Sequence, residues 1–304
     1  MKELYPGNEE GERVNKVTCV KVSALIDNTT HYEGPIFAEN GISLFIEIEL
    51  GDIITRVLMD TGMSQDLILK NSKEMGVNLG QTDVIIISHS HYDHTGGLLK
   101  TLTEIRRRVP VIMHPDVFKP KYAILPSLGI HNLTYAGIPF LREEVEDKGG
   151  ALVLSKEPVP ITENVMTTGE IARVTEFEKV DGFYVVENGT FRKDDLLDDQ
   201  ALVIKMADDS LVVFTGCSHS GIINTVRHAL RLTDAKSVRA IIGGFHLIDA
   251  TNDRIERTVQ ELEKIAPSVI APMHCTGFKA AIKIAEALPE AFKEFYCGDY
   301  MEIK

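Results

Sequence analysis

The stretch DVIIIS (83–88), followed at once by HSHYDHTGG (89–97), decides how the rest of the sequence is interpreted. The first part is a short apolar strand of the kind that is buried on both faces of a sheet. Residues two apart point the same way in an extended loop, so the first two histidines can hold one ion together. The chain then turns into a helix, which carries the aspartate and the third histidine to a neighbouring position. Imidazole and carboxylate are common ligands of zinc, manganese and iron(II), so the stretch predicts a metal centre.

A surface cluster of histidines or a helix cap is the other explanation of this stretch. His89, His91, Asp93 and His94 follow the order HxHxDH, whereas isolated histidines of a protein core do not. The apolar strand before them and the helix after them also favour a metal centre. Two glycines at 96 and 97 allow the backbone to pass close to the site.

Three further histidines come directly after apolar strands and are the candidates to complete the centre. They are His219 in TGCSHSG, His246 in GGFHL and His274 in APMHCTG. Loops that follow such strands are expected to gather at one edge of the fold. The remaining histidines with less context are predicted to have structural or surface roles: His31, His114, His131 and His228.

The pattern around these motifs alternates between strands and helices in both halves of the chain. Two apolar stretches between Ile42 and Met59 are joined by Gly51-Asp52, which predicts a hairpin. Helices are expected at 67–75, 98–108, 222–231, 254–265 and 278–288. We therefore predict one domain over 1–304, an α+β four-layer αββα sandwich of two packed sheets with helices outside. The pattern loosens over about 115–199, which we interpret as an inserted lid.

Composition limits the location and the partners. The net charge of −13 disfavours nucleic acid, which normally binds a basic face. The segment from Met1 to Val14 has no apolar core and no apolar run approaches the roughly 20 residues of a membrane span, so we expect a cytoplasmic protein without membrane partners. The four cysteines include no CxxC pair and are expected to be reduced. A small, phosphorylated substrate is expected, and assembly into a homo-oligomer stays open.

The motifs DTG (60–62), HSHYDHTGG, TGCSHSGIIN, GGFHL and PMHCTG together resemble the metallo-β-lactamase superfamily. More narrowly they resemble its branch of archaeal 7,8-dihydropterin-6-methyl-4-(β-D-ribofuranosyl)aminobenzene 5′-phosphate synthases, over about 17–299. The resemblance implies the αββα fold and two divalent metal ions, zinc first, with manganese or iron as alternatives. It implies a first ion held by His89, His91 and His219, and a second held by Asp93, His94 and His274. It also implies that Asp60 orients the metal loop through hydrogen bonds.

One position departs from the pattern of the superfamily. Most members place a metal-bridging aspartate after the strand that here ends in Thr215-Gly216, and this chain has Cys217 there. Four explanations are open. The Cys217 thiolate binds metal, solvent alone bridges the ions, Asp199 extends into the site in place of the bridging aspartate, or Cys217 is a small buried hydrophobic residue.

The chemistry predicted first is hydrolysis of a phosphate ester, as in a phosphodiesterase. A metal-bound hydroxide would attack phosphorus, because two ions can lower the pKa of a shared water toward neutrality. In this interpretation Asp93 is both a ligand and a group that orients the water. His246 is the candidate for a general acid or a substrate contact, with a structural role as the other explanation.

The alternative prediction is a transferase that condenses a hydroxymethyl-dihydropterin diphosphate with ribofuranosylaminobenzene 5′-phosphate. It needs room for two substrates and cations for phosphate. Lys119, Lys121, Arg173 and Arg192 lie in or beside the expected lid and are candidates, with solvated surface charges as the other explanation. A third class, a metal-stabilised binding or redox module, is disfavoured because 304 residues leave no room for a flavin domain.

Overall fold

The apolar stretches of the sequence become strands in the computed structural model, which describes residues 16–304. The strands are β1 Val17–Ile26, β2 Ser43–Leu50, β3 Ile53–Met59, β4 Val84–Ile86, β5 Val109–Met113, β6 Lys121–Leu125, β7 Ile130–Tyr135, β8 Gly150–Leu154, β9 Pro160–Thr162, β10 Val165–Thr167, β11 Phe183–Glu187, β12 Thr190–Lys193, β13 Ala201–Lys205, β14 Ser210–Thr215, β15 Ser237–Gly244, β16 Val269–Met273 and β17 Tyr300–Ile303. Segment 1–14, on which the expectation of a cytoplasmic location partly rests, lies outside the described residues.

The helices lie between these strands. They are α1 Leu67–Glu74, α2 Tyr92–Thr95, α3 Leu98–Ile105, α4 Arg142–Asp147, α5 Ile222–Thr233, α6 Asn252–Ile265 and α7 Phe278–Ala287, with 3-10 turns at Leu79–Gln81, Pro115–Phe118, Pro126–Leu128 and His274–Thr276. None of the helices within residues 16–304 has both the length and the apolar character that crossing a membrane requires.

The strands form three sheets. The first has the order β17-β1-β2-β3-β4-β5-β8, the second β16-β15-β14-β13-β10-β9, and the third β12-β11-β6-β7. Strands β3, β4, β5 and β8 run parallel, as do β14, β15 and β16. Parallel neighbours end at the same edge, so the loops that follow these strands come together.

Alternation along the strands divides the core into layers. Ile46 and Ile86 of the first sheet pack with Phe214 and Ile242 of the second in one cluster between the sheets. The neighbouring side chains of the first sheet face the other way and pack with helices α1, α3 and α4. On the far side, helices α5, α6 and α7 pack on the second sheet. Helices therefore cover both outer faces, which confirms the predicted αββα sandwich.

Most elements lie where the sequence places them. The predicted hairpin is β2–β3, with Leu50 paired to Ile53 across a turn in which Gly51 has a φ of +60°. Helix α3 ends at Ile105 instead of Arg108, because Arg106 adopts the left-handed conformation with a φ of +58°. Strand β1 was missing from the prediction, although its alternating apolar residues are visible in the sequence.

The segment 115–199 contributes to all three sheets. Strand β8 extends the first sheet, and β9 and β10 extend the second. The third sheet pairs β6 and β7 with β11 and β12, and a small cluster around Phe183, Leu125 and Leu196 fills one side of it. This third sheet is the part of the segment that lies beside the histidine loops, and we refer to it as the lid sheet.

Candidate metal centre

The histidine-bearing loops meet at one edge of the sandwich. The HSHYDH loop follows β4 of the first sheet. His219, His246 and His274 follow β14, β15 and β16 of the second sheet. Each apolar strand thus delivers its polar loop to the same place, and the side chains that the sequence predicted as metal ligands come together there.

Three imidazole nitrogens converge tightly at the first position. The Nδ1 atom of His91 lies 3.0 Å from the Nε2 atom of His89, and the Nε2 atom of His219 lies 3.2 Å from both. Ligands of a tetrahedral zinc ion, with bonds of about 2.0 Å, stand roughly 3.3 Å apart. A neutral imidazole has a single N–H, so one cation satisfies the three nitrogens better than mutual hydrogen bonds do. The geometry fits a metal ion.

The second position is more open. The Nε2 atom of His94 lies 4.0 Å from Oδ1 of Asp93, and the Nε2 atom of His274 lies 3.6 Å from Oδ2 of Asp93. Among the described residues, the buried Nε2 of His274 has no hydrogen-bond partner. A buried acceptor of this kind is costly unless something binds it, and a metal ion would do so.

Cys217 lies between the two positions. Its sulfur is 3.2 Å from the Nε2 atom of His94 and within 4.8 Å of ligand atoms of His89, His219 and His274. Asp199 does not reach in, because its Oδ2 accepts a hydrogen bond from the backbone N–H of Ser220 at 2.8 Å. The Cys217 sulfur is thus placed where it could bind either ion, although burial raises the pKa of the thiol, so that a bound cation would be needed to hold the thiolate.

Asp60 anchors the metal loop, as the resemblance implied. Its carboxylate accepts hydrogen bonds from the backbone N–H of Ser88 at 2.7 Å and from the Ser88 hydroxyl at 2.6 Å, and lies 2.7 Å from Nδ1 of His94. The Ser88 hydroxyl also lies 3.0 Å from Nδ1 of His89. One fully buried carboxylate therefore fixes an imidazole of each metal position.

Sequence reasoning missed three polar residues that orient the second position. Asn28 Oδ1 lies 2.6 Å from Nδ1 of His274, and Asp27 accepts a hydrogen bond from the backbone N–H of His274 at 2.8 Å. The amide of Asn40 donates to Asp93 at 3.0 Å. The signal was present for two of them, because Asp27 and Asn28 directly follow the apolar strand β1, as the histidines follow theirs.

Burial and neighbouring charges set the protonation of the imidazoles. Burial lowers the pKa of His91 to about 3 and holds the pKa values of His89 and His219 well below the usual range. Neutral imidazoles at the first position are ready to bind a cation. At His94 burial acts in the same direction, but the Asp60 and Asp93 carboxylates outweigh it and raise the pKa to about 9.

A cavity of about 350 Å³ opens in front of the metal centre. One side carries polar and metal-binding groups, and the other is an apolar wall that comes mainly from the lid sheet. The lining residues are Asn28, Asn40, His91, Tyr92, Asp93, Ala123, Leu125, Leu128, Ile130, Ala136, Phe183, Cys217, His219, His246, Ile248, His274 and Cys275. No lysine or arginine of residues 16–304 is among them. The apolar wall suits an uncharged, flat group.

Lys121 does not serve the cavity as a phosphate-binding cation. Its side chain is 3% exposed, and its ammonium group lies 2.6 Å from Asp198 and 3.0 Å from Asp194. Asp198 in turn accepts a hydrogen bond from the backbone N–H of Ser90 in the metal loop at 2.9 Å. Lys121 therefore ties the lid sheet to the metal loop.

The other predicted phosphate-binding cations are also engaged away from the cavity. Lys119 is paired with Asp116 at 2.8 Å and with Glu187, which also pairs with Arg192. Arg173 donates to backbone carbonyl groups of residues 195 and 196. These cations are held by carboxylates and backbone carbonyl groups and do not line the cavity, so the structure does not place the expected phosphate clamp there.

His246 lies beside the centre and not within its two positions. Its ring centroid is 4.2 Å from that of His219, and a ring nitrogen lies within 4.8 Å of the sulfur atoms of Cys217 and Cys275. It lines the cavity, as expected for a substrate contact, but its nearest polar neighbours include two thiols. Its Nδ1 atom is buried and has no hydrogen-bond partner in the described part of the chain.

Comparisons with known proteins agree with this geometry. The sequence pattern of the metallo-β-lactamase superfamily matches residues 54–221. A 7,8-dihydropterin-6-methyl-4-(β-D-ribofuranosyl)-aminobenzene-5′-phosphate synthase of Methanocaldococcus jannaschii is 37% identical over 292 residues, which cover 94% of this chain and 97% of that protein. An uncharacterised protein of the same organism is 34% identical over 268 residues, which cover 87% of this chain and 94% of the other.

A solved structure supports the same relationship. The crystal structure of a metal-dependent hydrolase of the β-lactamase superfamily superposes with a TM-score of 0.77 at 28% identity and covers 94% of this chain and 99% of the other. The chain belongs to the metallo-β-lactamase superfamily.

Proposed function

We propose that the chain is a transferase that joins a dihydropterin methyl group to the amine of 4-(β-D-ribofuranosyl)aminobenzene 5′-phosphate. The observation that carries the proposal is the 37% identity to the Methanocaldococcus synthase over nearly the full length of both proteins. This reverses the order predicted from the sequence, in which phosphodiester hydrolysis came first and the transferase second.

The reaction is a substitution at the methylene carbon of the pterin. The carbon–oxygen bond to a diphosphate leaving group breaks, the carbon–nitrogen bond to the arylamine forms, and the amine loses one proton. Two divalent ions, zinc first, held by the residues of the two positions would supply positive charge for the leaving diphosphate. The absence of lysine and arginine from the cavity lining within residues 16–304 agrees with this, because the anion then depends on the metal centre.

The cavity walls suit the organic parts of both substrates. Phe183 stacks against His91 with ring centroids 5.0 Å apart, and with Leu125 and Ile130 it offers an apolar surface to a flat ring. The side-chain amides of Asn28 and Asn40 also line the cavity, but they are hydrogen-bonded to each other, to His274 and to Asp93. The apolar wall is therefore the surface that suits a flat ring.

Asp93 is the chain's own candidate to accept the amine proton. Burial alone would raise the pKa of this carboxylate, but His94 and His274 outweigh burial and lower it, so the group is ionised at neutral pH. Its side chain is 14% exposed and lines the cavity. The hydrogen bond from Asn40 holds one oxygen in place, which leaves the carboxylate oriented toward the cavity and the metal positions.

Hydrolysis of a phosphate ester is the second candidate function. The metal-dependent hydrolase with a TM-score of 0.77 favours it. The tight first position and the more open second position also suit a water molecule activated between two ions. The two candidates differ in what attacks: an arylamine in the cavity, or water.

One preparation of the metal-loaded protein distinguishes the two functions. We would incubate it with hydroxymethyl-dihydropterin diphosphate and the arylamine phosphate, and measure the condensed product by mass spectrometry together with released diphosphate. The same preparation would be assayed with bis(p-nitrophenyl) phosphate. Each assay would be repeated after chelation and after restoring zinc. Asp93→Asn should lose turnover, and Asp66→Asn, a change at an exposed carboxylate, should not.

Condensed product in amounts equal to released diphosphate, and lost on chelation, would support the transferase. Diphosphate release without condensation, together with turnover of the phosphodiester, would replace the transferase by the hydrolase. Absence of both activities in a protein that holds its metals would overturn both.

A further inference from the structure

A second chemical environment adjoins the two histidine-rich positions. The sulfur atoms of Cys217 and Cys275 and a ring nitrogen of His246 lie within 4.8 Å of one another, and all three residues are buried. Neither His246 nor Cys275 belongs to the two predicted positions. From this cluster we infer that Cys217, His246 and Cys275 form a third metal position, selective for a thiophilic divalent ion such as zinc or cadmium.

The local backbone is shaped to bring these donors together. His246 has a φ of +42°, a left-handed conformation that is unfavourable for a residue other than glycine. Such strain persists where the surroundings impose it, and it is concentrated at functional sites. A Cβ atom on Gly244 would lie 2.7 Å from the Cys275 sulfur, so the glycine makes room for that sulfur.

Two hydrogen-bonding facts point to a ligand. The Nδ1 atom of His246 is unpartnered within the described residues, although the residue is only 5% exposed. The backbone N–H of His246 donates to the sulfur of Cys275 at 3.3 Å, which holds that sulfur beside the imidazole. An imidazole nitrogen and two sulfur atoms are donors suited to a soft cation.

Cys217 connects this third position to the other two. Its sulfur is also within 4.8 Å of ring nitrogens of both histidine-rich positions. A thiolate that binds one ion keeps lone pairs for another, so Cys217 can bridge. The aspartate found at this place in most members of the superfamily supplies only oxygen donors. Thiolates prefer zinc and cadmium, whereas carboxylates and water suit manganese and magnesium, so the cysteines change which metal the chain selects.

Cadmium alone is a suitable probe, because thiolate-to-cadmium charge transfer absorbs in the ultraviolet and needs no substrate. The metal-free full chain would be titrated with cadmium, and bound ions counted by elemental analysis after removal of the excess. Cys275→Ser should bind one ion fewer than the natural protein and lose about half of the thiolate absorbance, since one of two thiolates is removed. His246→Ala should keep the absorbance and bind the last ion at least about tenfold more weakly.

Cys19→Ser is the matched control. Cys19 is equally buried but lies in strand β1, outside every cluster of candidate ligands among the described residues, so cadmium binding should not change. Equal stoichiometry and equal absorbance in Cys275→Ser and in the natural protein would overturn the third position.

A second measurement is made on the natural protein, so it does not depend on whether a variant folds. In the natural protein, Cys217 and Cys275 are buried but both line the cavity, through which a small reagent such as iodoacetamide would approach them. Cadmium should slow the alkylation of both, as measured by mass spectrometry of peptides. Slowing of Cys217 alone would limit metal binding to the histidine-rich positions and overturn the assignment of Cys275. Neither measurement depends on the substrate, so failure of the transferase assay leaves this result unaffected.

Discussion

Single buried carboxylates determine much of the behaviour of this centre. Asp60 is not itself a predicted metal ligand, yet it contacts His94 and, through Ser88, reaches His89. A ligand whose other ring nitrogen is held in this way loses less freedom when it binds metal. Asp199 is buried nearby and accepts a hydrogen bond from the backbone N–H of Ser220, and it forms no ion pair with a lysine or arginine of residues 16–304. Replacing Asp60 should therefore change metal affinity, whereas replacing Asp199 should change the stability of the fold.

Replacing Asp60 by Ala should weaken metal binding by about 10- to 100-fold, because the imidazole of His94 loses the carboxylate that orients it. Competition with a chromophoric chelator measures the affinity. Asp66→Ala removes a carboxylate that is 85% exposed and should leave the affinity unchanged. Unchanged zinc affinity in Asp60→Ala would show that the DTG loop is not needed to position the ligands.

Replacing Asp199 by Asn should stabilise the metal-free protein at neutral pH. Burial raises the pKa of Asp199 from 3.8 to about 6, so the folded state holds this proton more tightly than the unfolded chain does. The resulting stability is fully present below pH 3.8 and is lost as the pH rises through about 6. Asparagine stays neutral and can still accept from Ser220. We expect a gain of about 1 to 3 kcal/mol at pH 7.5.

Urea unfolding of the chelated protein at several pH values tests this prediction. The difference between Asp199→Asn and the natural protein should shrink as the pH falls toward 4.5. A variant that is less stable than the natural protein at pH 7.5 would show that the ionised carboxylate contributes more through its hydrogen bond to Ser220 than it costs by burial.

At the scale of elements, the lid sheet is fastened to the sandwich by a buried ion pair. Lys121 on β6 contacts Asp198, 77 positions away, and Asp198 holds the metal loop at Ser90. Burial favours a neutral amine, but the two aspartates outweigh it and raise the pKa of Lys121. Removal of one member of a buried pair leaves uncompensated charge, which typically costs 3–5 kcal/mol.

Lys121→Met should therefore destabilise the protein by roughly 3–5 kcal/mol and loosen the lid sheet selectively. Hydrogen exchange should increase in strands β6 and β11 more than in β2. Lys193 lies on the same sheet, in β12, and forms an exposed ion pair with Asp181. Lys193→Met should therefore lower the free energy of unfolding by less than about 1 kcal/mol. Similar losses in both variants would contradict the role assigned to the buried pair.

The positions of most strands, and the histidines that follow them, could be predicted from the sequence. The structure of the lid sheet could not. A strand followed by a histidine is a local pattern, so His89, His219 and His274 could be found without knowing the fold. The partners of Lys121 are set by long-range packing, and a lysine in an irregular segment gives no local sign that it is buried. Asp27 and Asn28 lie between these two cases. They are polar residues that directly follow the apolar strand β1, so the same local pattern could have predicted them once β1 was identified.

At the scale of the whole molecule, the centre links the two sheets. Its candidate ligands come from loops after β4 of the first sheet and after β14 and β16 of the second. An ion held by both would bind the folded state and not the separated sheets, so binding and stability are linked.

Zinc should raise the temperature of unfolding of the whole molecule. At a free concentration 100 times the dissociation constant, one bound ion adds about 2.7 kcal/mol. Differential scanning calorimetry over a series of free zinc concentrations measures the effect. His219→Ala should reduce the dependence on zinc, whereas Lys193→Met, at the far side of the lid sheet, should retain it. A midpoint independent of zinc would argue against a centre that spans both sheets.

The wide spacing of the ligands along the chain also has a consequence for biosynthesis. His219, which shares the first position with His89, follows it by 130 positions and therefore emerges from the ribosome much later. Domains generally fold as they are synthesised, starting from the amino terminus. Here the earlier half can be complete while the second position still lacks an imidazole. Each position takes ligands from both sheets, so we expect metal uptake to follow the synthesis of the second sheet.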